Sequence, residues 1–449
     1  MSDSFPQPPQ PTDEAPDPDR PSQEALSPSF LSFLSRWDAD ESSVLTAIGD
    51  LAGRTVEFSG RPPPTDAGGL FALFERSPLA AISQRDDGAW VLPYNPWAAY
   101  RRIVEERYLP PSKAPLHSRL PFDYHRVPGW LRLALYPLVA GKAGSPVDGS
   151  SPAPQWPIER RVDAYRAELF RQLCLASPTT EIGGPWPGGK RYPLLMTHDV
   201  DTAEGMKLAG SVLDAMVDMG LKPCFFLVAH GYTWDEGFCD AVRQAGGEIG
   251  LHGDTHDNRI AYDSPENITK RLDSCRDKIR RHGIRGFRSP SLLVSDALYS
   301  EVGKRFAWDS SVPDTDTNTL LGPRRGCATV FPFRRSGGLV LPTTMPADDR
   351  LLLMGLKGLD LVSVLRKKAQ YVRETSGLCH FLTHPEPHLF GRPLLRDLYR
   401  ALIEELLAEG DAWVATPSEV AAFWRESESS SLAGDSPDPG AELKGATTP

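Results

Sequence analysis

The sequence predicts an α/β fold, a distorted, closed or nearly closed β/α barrel, preceded by a smaller region that is mostly helical or α+β. Three observations predict it. From about residue 190, short apolar runs alternate with amphipathic stretches of helical length. The alternation repeats often enough for a parallel sheet that curls on itself. The polar residues best suited to chemistry fall at or just past the ends of the apolar runs, where parallel barrels carry their sites.

The first apolar run covers 193–197, and a helix is expected over 205–219 with Gly220 as its stop. A second strand spans 224–228, a helix follows near 235–245, and a third strand spans 248–251 and ends at His252. Residues 265–281 read as one helix, with Ser264 as N-cap and Gly283 after its end. Strands are expected over 286–288, 306–309, 378–383 and 412–415, with a helix near 394–409 before the last. Upstream, Phe30 opens a helix, 96–108 forms another with Pro96 in its first turn, and 160–173 forms a third, amphipathic one. Residues 142–156 read as a loop or linker. The expected organisation is a Pro-rich acidic tail over 1–28, an accessory region over 29–180, a catalytic domain over 190–424 and a second disordered tail over 425–449.

Composition narrows the function. The net charge of −10 disfavours nucleic acid as a partner. The basic stretch over 276–281 reads as a solvated helix face. No window approaches the ~18 apolar residues of a membrane span, and the run over 130–141 is interrupted by Arg132 and Pro137. No secretory signal pattern opens the sequence, and the six cysteines form no Cys-x-x-Cys pair. A cytoplasmic, reducing setting is therefore expected.

The chemistry concentrates in a few places. Thr197-His198-Asp199-Val200-Asp201 closes the first strand, and alternation points both aspartates to one side. His252-Gly253-Asp254-Thr255-His256 follows the third strand and offers two imidazoles one turn apart. Together they supply the Asp and two His ligands that a divalent metal takes, with a second carboxylate left to act as base. Arg288 ends a strand and can turn inward to pair with a carboxylate. His384, at another strand end, suits general acid work. A His384/His388 metal pair is disfavoured, because Pro385 and Pro387 oppose a helical turn. A phosphatase of the haloacid-dehalogenase type, with Asp199-Val200-Asp201-Thr202 as its nucleophile motif, would leave His252 and His256 unused.

Five motifs in order over roughly 190–424 resemble the polysaccharide deacetylase family, also called the NodB-homology domain or carbohydrate esterase family 4. The resemblance implies a barrel of that type that removes an N-acetyl or O-acetyl group from a carbohydrate or a small N-acylated substrate. It implies Asp199 as base, Asp201, His252 and His256 as metal ligands, Arg288 as the group that holds the base, and His384 as acid. Trp308-Asp309-Ser310-Ser311 resembles the fourth motif, which makes Asp309 a further catalytic candidate. The implied ion is zinc, with cobalt or nickel also fitting. Two positions depart from the commonest pattern: Val200 separates the aspartates, and Ser291 replaces an aromatic residue after Pro290. A relative that binds carbohydrate without turnover is the rival within the family.

Overall fold

A computed structural model describes residues 28–78, 82–109, 154–174, 184–316 and 325–429. The stretch 130–141 and most of the tails and of the 142–156 linker lie outside the described residues. The N-terminal elements are α1 (Pro28–Ala39), α2 (Glu41–Ala52), β1 (Val56–Phe58), α3 (Ala67–Leu73), β2 (Ser83–Gln84), β3 (Trp90–Leu92), α4 (Pro96–Val104) and α5 (Arg161–Cys174). β1 and β3 pair in parallel and β2 joins antiparallel, so the region is α+β. Helix α4 ends earlier than its sequence pattern suggests, because Glu106 turns into a left-handed conformation at φ 56°.

The larger sheet begins with β4 (Tyr192–Val200), every residue of which is buried. Helix α6 (Ala203–Asp218) leads to β5 (Cys224–Leu227), and α7 (Glu236–Gln244) to β6 (Glu248–Leu251). Then come α8 (Pro265–Ser274), α9 (Arg276–His282), β7 (Gly286–Phe287), α10 (Asp296–Gly303) and β8 (Trp308–Asp309). The 265–281 stretch is thus two helices rather than one. They part at Cys275, whose amide bonds back to Leu272 O while the Ser274 hydroxyl competes for Arg271 O. The sequence pattern also misses the hairpin β9 (Phe333–Arg335) and β10 (Gly338–Val340) and the helices α11 (Asp348–Leu353) and α12 (Gly358–Thr375). The chain closes with β11 (Cys379–Thr383), α13 (Pro393–Ala408), β12 (Ala412–Val414) and α14 (Pro417–Ser429). Helix α14 carries regular structure through Ser429, past the expected start of the tail.

Strand order is β11-β4-β5-β6-β7-β8-β10-β9, with β12 paired to the first residues of β4. All neighbours are parallel except the β9–β10 hairpin. The sheet curls without a continuous ladder across its last seam. That seam is bridged where Thr344 and Met345 donate to His380 O and Leu378 donates to Val330 O. The result is the distorted β/α barrel that the alternation predicts. Among the described residues no helix is long and apolar enough to cross a membrane.

The N-terminal region is continuous with the barrel core. Helix α1 packs on α14 and β9, and Phe30 meets Phe331 edge-on at 5.9 Å. Polar contacts reinforce the join. Buried Asp163 of α5 accepts from Arg166 at 2.6 Å, from Thr329 Oγ1 at 2.8 Å and from the Val330 amide at 2.9 Å. Asp163→Ala strips Arg166 of this carboxylate and leaves the Val330 amide unpaired. Denaturant unfolding is expected to show a loss of about 3–5 kcal/mol; a loss under about 1 kcal/mol would mean that Asp163 does not join the two regions.

Candidate metal and catalytic site

The end of β4 sets the site. Alternation turns Thr197 and Asp199 to one side and His198 to the other. His198 stacks on Phe225 at 4.7 Å and meets Thr383 Oγ1 at 2.7 Å through Nδ1. Burial pushes its imidazole down to about 3, so it is a neutral packing residue.

Facing Asp199 is Arg288, fully buried at the end of β7. Its Nη1 donates to Asp199 Oδ1 at 2.7 Å. Nη2 donates to Thr197 Oγ1 at 3.0 Å and Ser310 Oγ at 2.9 Å, and Nε to Ser310 O at 2.9 Å. His380 Nδ1 donates to Pro342 O at 3.0 Å, which leaves its Nε2 to accept from Arg288 at 3.2 Å. Burial, then the Arg288 charge, holds His380 well below the usual histidine value. The guanidinium also lies 4.1 Å from the centre of the Phe226 ring. Each nitrogen of Arg288 therefore has at least one partner, and Asp199 is fixed opposite it.

Just past β4, Asp201 meets the two imidazoles. Its Oδ1 is 3.2 Å from His252 Nε2 and 3.3 Å from His256 Nε2. All three ligand atoms lie within 4.8 Å of one another. His252 Nδ1 donates to Arg288 O at 3.0 Å, so its Nε2 carries the lone pair that faces Asp201. Asp201 Oδ1 is buried and, with His252 in that tautomer, meets an acceptor rather than a donor at His252 Nε2. Ligand atoms about 2.1 Å from a shared tetrahedral ion stand roughly 3.4 Å apart, close to these separations. The three residues thus fit a divalent cation. Asp199 Oδ2 stands beside them, 3.7 Å from His252 Nε2.

His384 approaches from the end of β11. Its Nδ1 donates to Asp348 Oδ1 at 2.6 Å, and its amide donates to Asp348 Oδ2 at 3.0 Å. Burial alone would lower the imidazole, but the Asp348 carboxylate and then Asp201 outweigh it and hold His384 well above the usual histidine value. His388 is exposed.

Asp309, the further catalytic candidate, is engaged elsewhere. Its carboxylate accepts from Ser311 N at 2.8 Å and Ser311 Oγ at 2.6 Å, and Ser311 Oγ in turn accepts from the Ser289 amide at 2.8 Å. It lines a cleft with Tyr299 and Arg335, and burial pushes it up to about 6. Its contacts make it a prop for the 289–291 turn.

Sequence reasoning missed four participants. Thr197, Ser310 and His380 complete the shell of Arg288, and Asp348 orients His384. It also missed Glu386, whose Oε1 accepts from the amides of Asp201 at 2.9 Å and Thr202 at 3.2 Å. Burial and the Asp201 charge push Glu386 up to about 8. Gly205 makes room for it, since a Cβ there would stand 2.3 Å from Glu386 Oε1. Of these, Thr197 and Ser310 lie inside motifs visible in the sequence, without a role being assigned to them.

No protein-family model and no curated protein sequence matches the chain. Solved structures do. One from Mycobacterium smegmatis, described as a "putative polysaccharide deacetylase", is 20% identical over 55% of this chain and 95% of its own, with a TM-score of 0.44. A family 4 acetyl xylan esterase from Clostridium thermocellum, in complex with a cobalt ion, is 18% identical over 51% of this chain and 90% of its own, with a TM-score of 0.34. A CE4 family pseudoenzyme from Bacillus anthracis is 16% identical over 53% of this chain and 68% of its own, with a TM-score of 0.34. The structural neighbours are of the kind the five motifs resemble. At these identities the functional reading rests on this chain's own side chains.

Two results are expected. NMR titration will find the His384 imidazole above the ordinary histidine pKa, and Asp348→Asn will lower it; an unchanged value would detach Asp348 from His384. Gly205→Ala is expected to cost about 1–3 kcal/mol in the native background. With Glu386→Ala the same change becomes neutral or stabilising, because alanine is the better helix former by about 1 kcal/mol. Equal effects of Gly205→Ala in both backgrounds, read by urea unfolding, would show that Glu386 is not held against α6.

Proposed function

We propose that the site is a metal-dependent hydrolase centre that removes an acetyl group, from nitrogen or oxygen, from a carbohydrate or a related small N-acylated substrate. The observation that carries the reading is the division of labour between two acids on one strand. Asp199 is held by Arg288, whereas Asp201 faces His252 and His256. A divalent ion held by Asp201, His252 and His256, zinc before cobalt or nickel, would polarise the acyl carbonyl and acidify a water.

The chain's own groups supply the rest. Asp199, oriented by Arg288, takes a proton as water attacks the carbonyl carbon. The Ser291 amide, in a turn held open by the Ser289–Ser311 bond and by a φ of 52° at Ser291, donates to the oxygen on which charge develops. His384, kept protonated by Asp348, gives its proton to the leaving nitrogen or oxygen as the bond to the acyl carbon breaks. The phosphatase reading loses its support, because it needs Asp199 as a free nucleophile and gives the two imidazoles no role. The five cysteines whose side chains are described are each buried and unpaired, which supports a substrate met in a reducing compartment.

Metal-loaded protein should release acetate from at least one member of a panel of N- and O-acetylated sugars and small N-acyl compounds. Asp199→Ala and His384→Ala should each lower turnover by about 10²–10⁴-fold while the metal content stays at the wild-type level. Bound metal with no release from any panel member would move the protein to a binding role.

A further inference from the structure

Both imidazoles of the proposed metal site ride on one irregular segment, 252–263, between β6 and α8. Two of its residues turn left-handed, Gly253 at φ 71° and Asn258 at φ 60°. Backbone bonds to Leu227, Ala229 and His230 tie its first three residues, 252–254, to β5 and the turn after it, and His256 lies beyond them. The segment also concentrates negative charge, with Asp254, Asp257 and Asp263 within ten positions. Carboxylates gathered in so short a segment repel one another unless a cation lies between them.

One side chain answers both problems. Arg271 rises from α8 with 16% of its side chain exposed and reaches back over the segment. Its Nε donates to both Asp254 oxygens at 2.9 Å, and its Nη2 lies 2.7 Å from Asp254 Oδ1. Nη1 donates to Asp263 Oδ2 at 2.9 Å. Nη2 also donates to Thr255 Oγ1 at 2.9 Å and Asp257 Oδ1 at 2.8 Å. Thr255 and Asp257 are the two neighbours of His256. The planar fork of a guanidinium can span these acceptors together, and a lysine ammonium cannot.

We infer that Arg271 is a positioning residue for the metal site: it gathers Asp254, Thr255, Asp257 and Asp263 around one guanidinium, so that His256 is presented to Asp201 and the three carboxylates are withheld from the ion. The inference rests on the metal reading above. Arg271 bonds no ligand atom itself. It acts through the segment, as the outer partners of a metal site do.

The test titrates metal-free full-length protein with Co²⁺, with Zn²⁺ competition for tight binding, at a temperature well below the melting point of each variant. Wild type, Arg271→Lys, Asp254→Asn and a His252→Ala, His256→Ala control are compared. The expected result is roughly 10–100-fold weaker binding in folded Arg271→Lys and in Asp254→Asn, beyond any change in melting temperature of the metal-free protein. Should Arg271→Lys fail to fold, Asp254→Asn decides. Wild-type affinity in the folded variants would overturn the role of Arg271 and leave the metal reading standing. Wild-type binding no tighter than that of the double-histidine control would overturn both.

Discussion

The site depends first on one buried ion pair. Arg288 and Asp199 are both withdrawn from water, and such a pair is tolerable only if the remaining donors and lone pairs are satisfied. Here they are. Thr197, Ser310 and His380 take up the guanidinium, and Phe226 lies against it. The pair thereby ties three strands together: β4 through Asp199, β7 through Arg288 and β11 through His380. Arg288 also sets the neighbouring histidine, because its backbone oxygen fixes the tautomer of His252. One residue thus orients a candidate base with its side chain and a candidate ligand with its main chain.

Around that centre the negative charges are separated by partner. Asp199 belongs to Arg288, Asp348 to His384, and Asp254, Asp257 and Asp263 to Arg271. Asp201 alone faces two imidazoles without a fixed cation. This allocation lets several carboxylates share a small volume in distinct roles. It also accounts for Glu386, whose carboxylate accepts from the Asp201 and Thr202 amides at the start of α6 and anchors the turn that carries Asp201.

Much of this was legible in the sequence, for a physical reason. A buried parallel strand reads as an apolar run, and the polar residue that ends it is placed at the rim of the sheet. Asp199, Asp201, His252, Arg288 and His384 all follow that rule. Asp309 does not, because its strand is only two residues long and a one-residue change in register reverses the face. Ser310 takes the inward position beside Arg288, and Asp309 turns out to prop Ser311. Asp348 escaped because its bond to His384 joins residues far apart in sequence, and no periodicity reports such a contact. His380 and Glu386 escaped for the same reason. The β9–β10 hairpin was missed because its strands are short, and the break at Cys275 is set by side-chain bonds to the helix backbone rather than by any helix-breaking residue.

The central claim is that Asp201, His252 and His256 share one cation. Anomalous diffraction at the zinc absorption edge, from crystals of the zinc-loaded protein, tests it most directly. A single strong peak about 2.0–2.2 Å from Asp201 Oδ1, His252 Nε2 and His256 Nε2 is the predicted result. A peak held by other residues, or no peak at this triad in fully loaded crystals, would contradict the account.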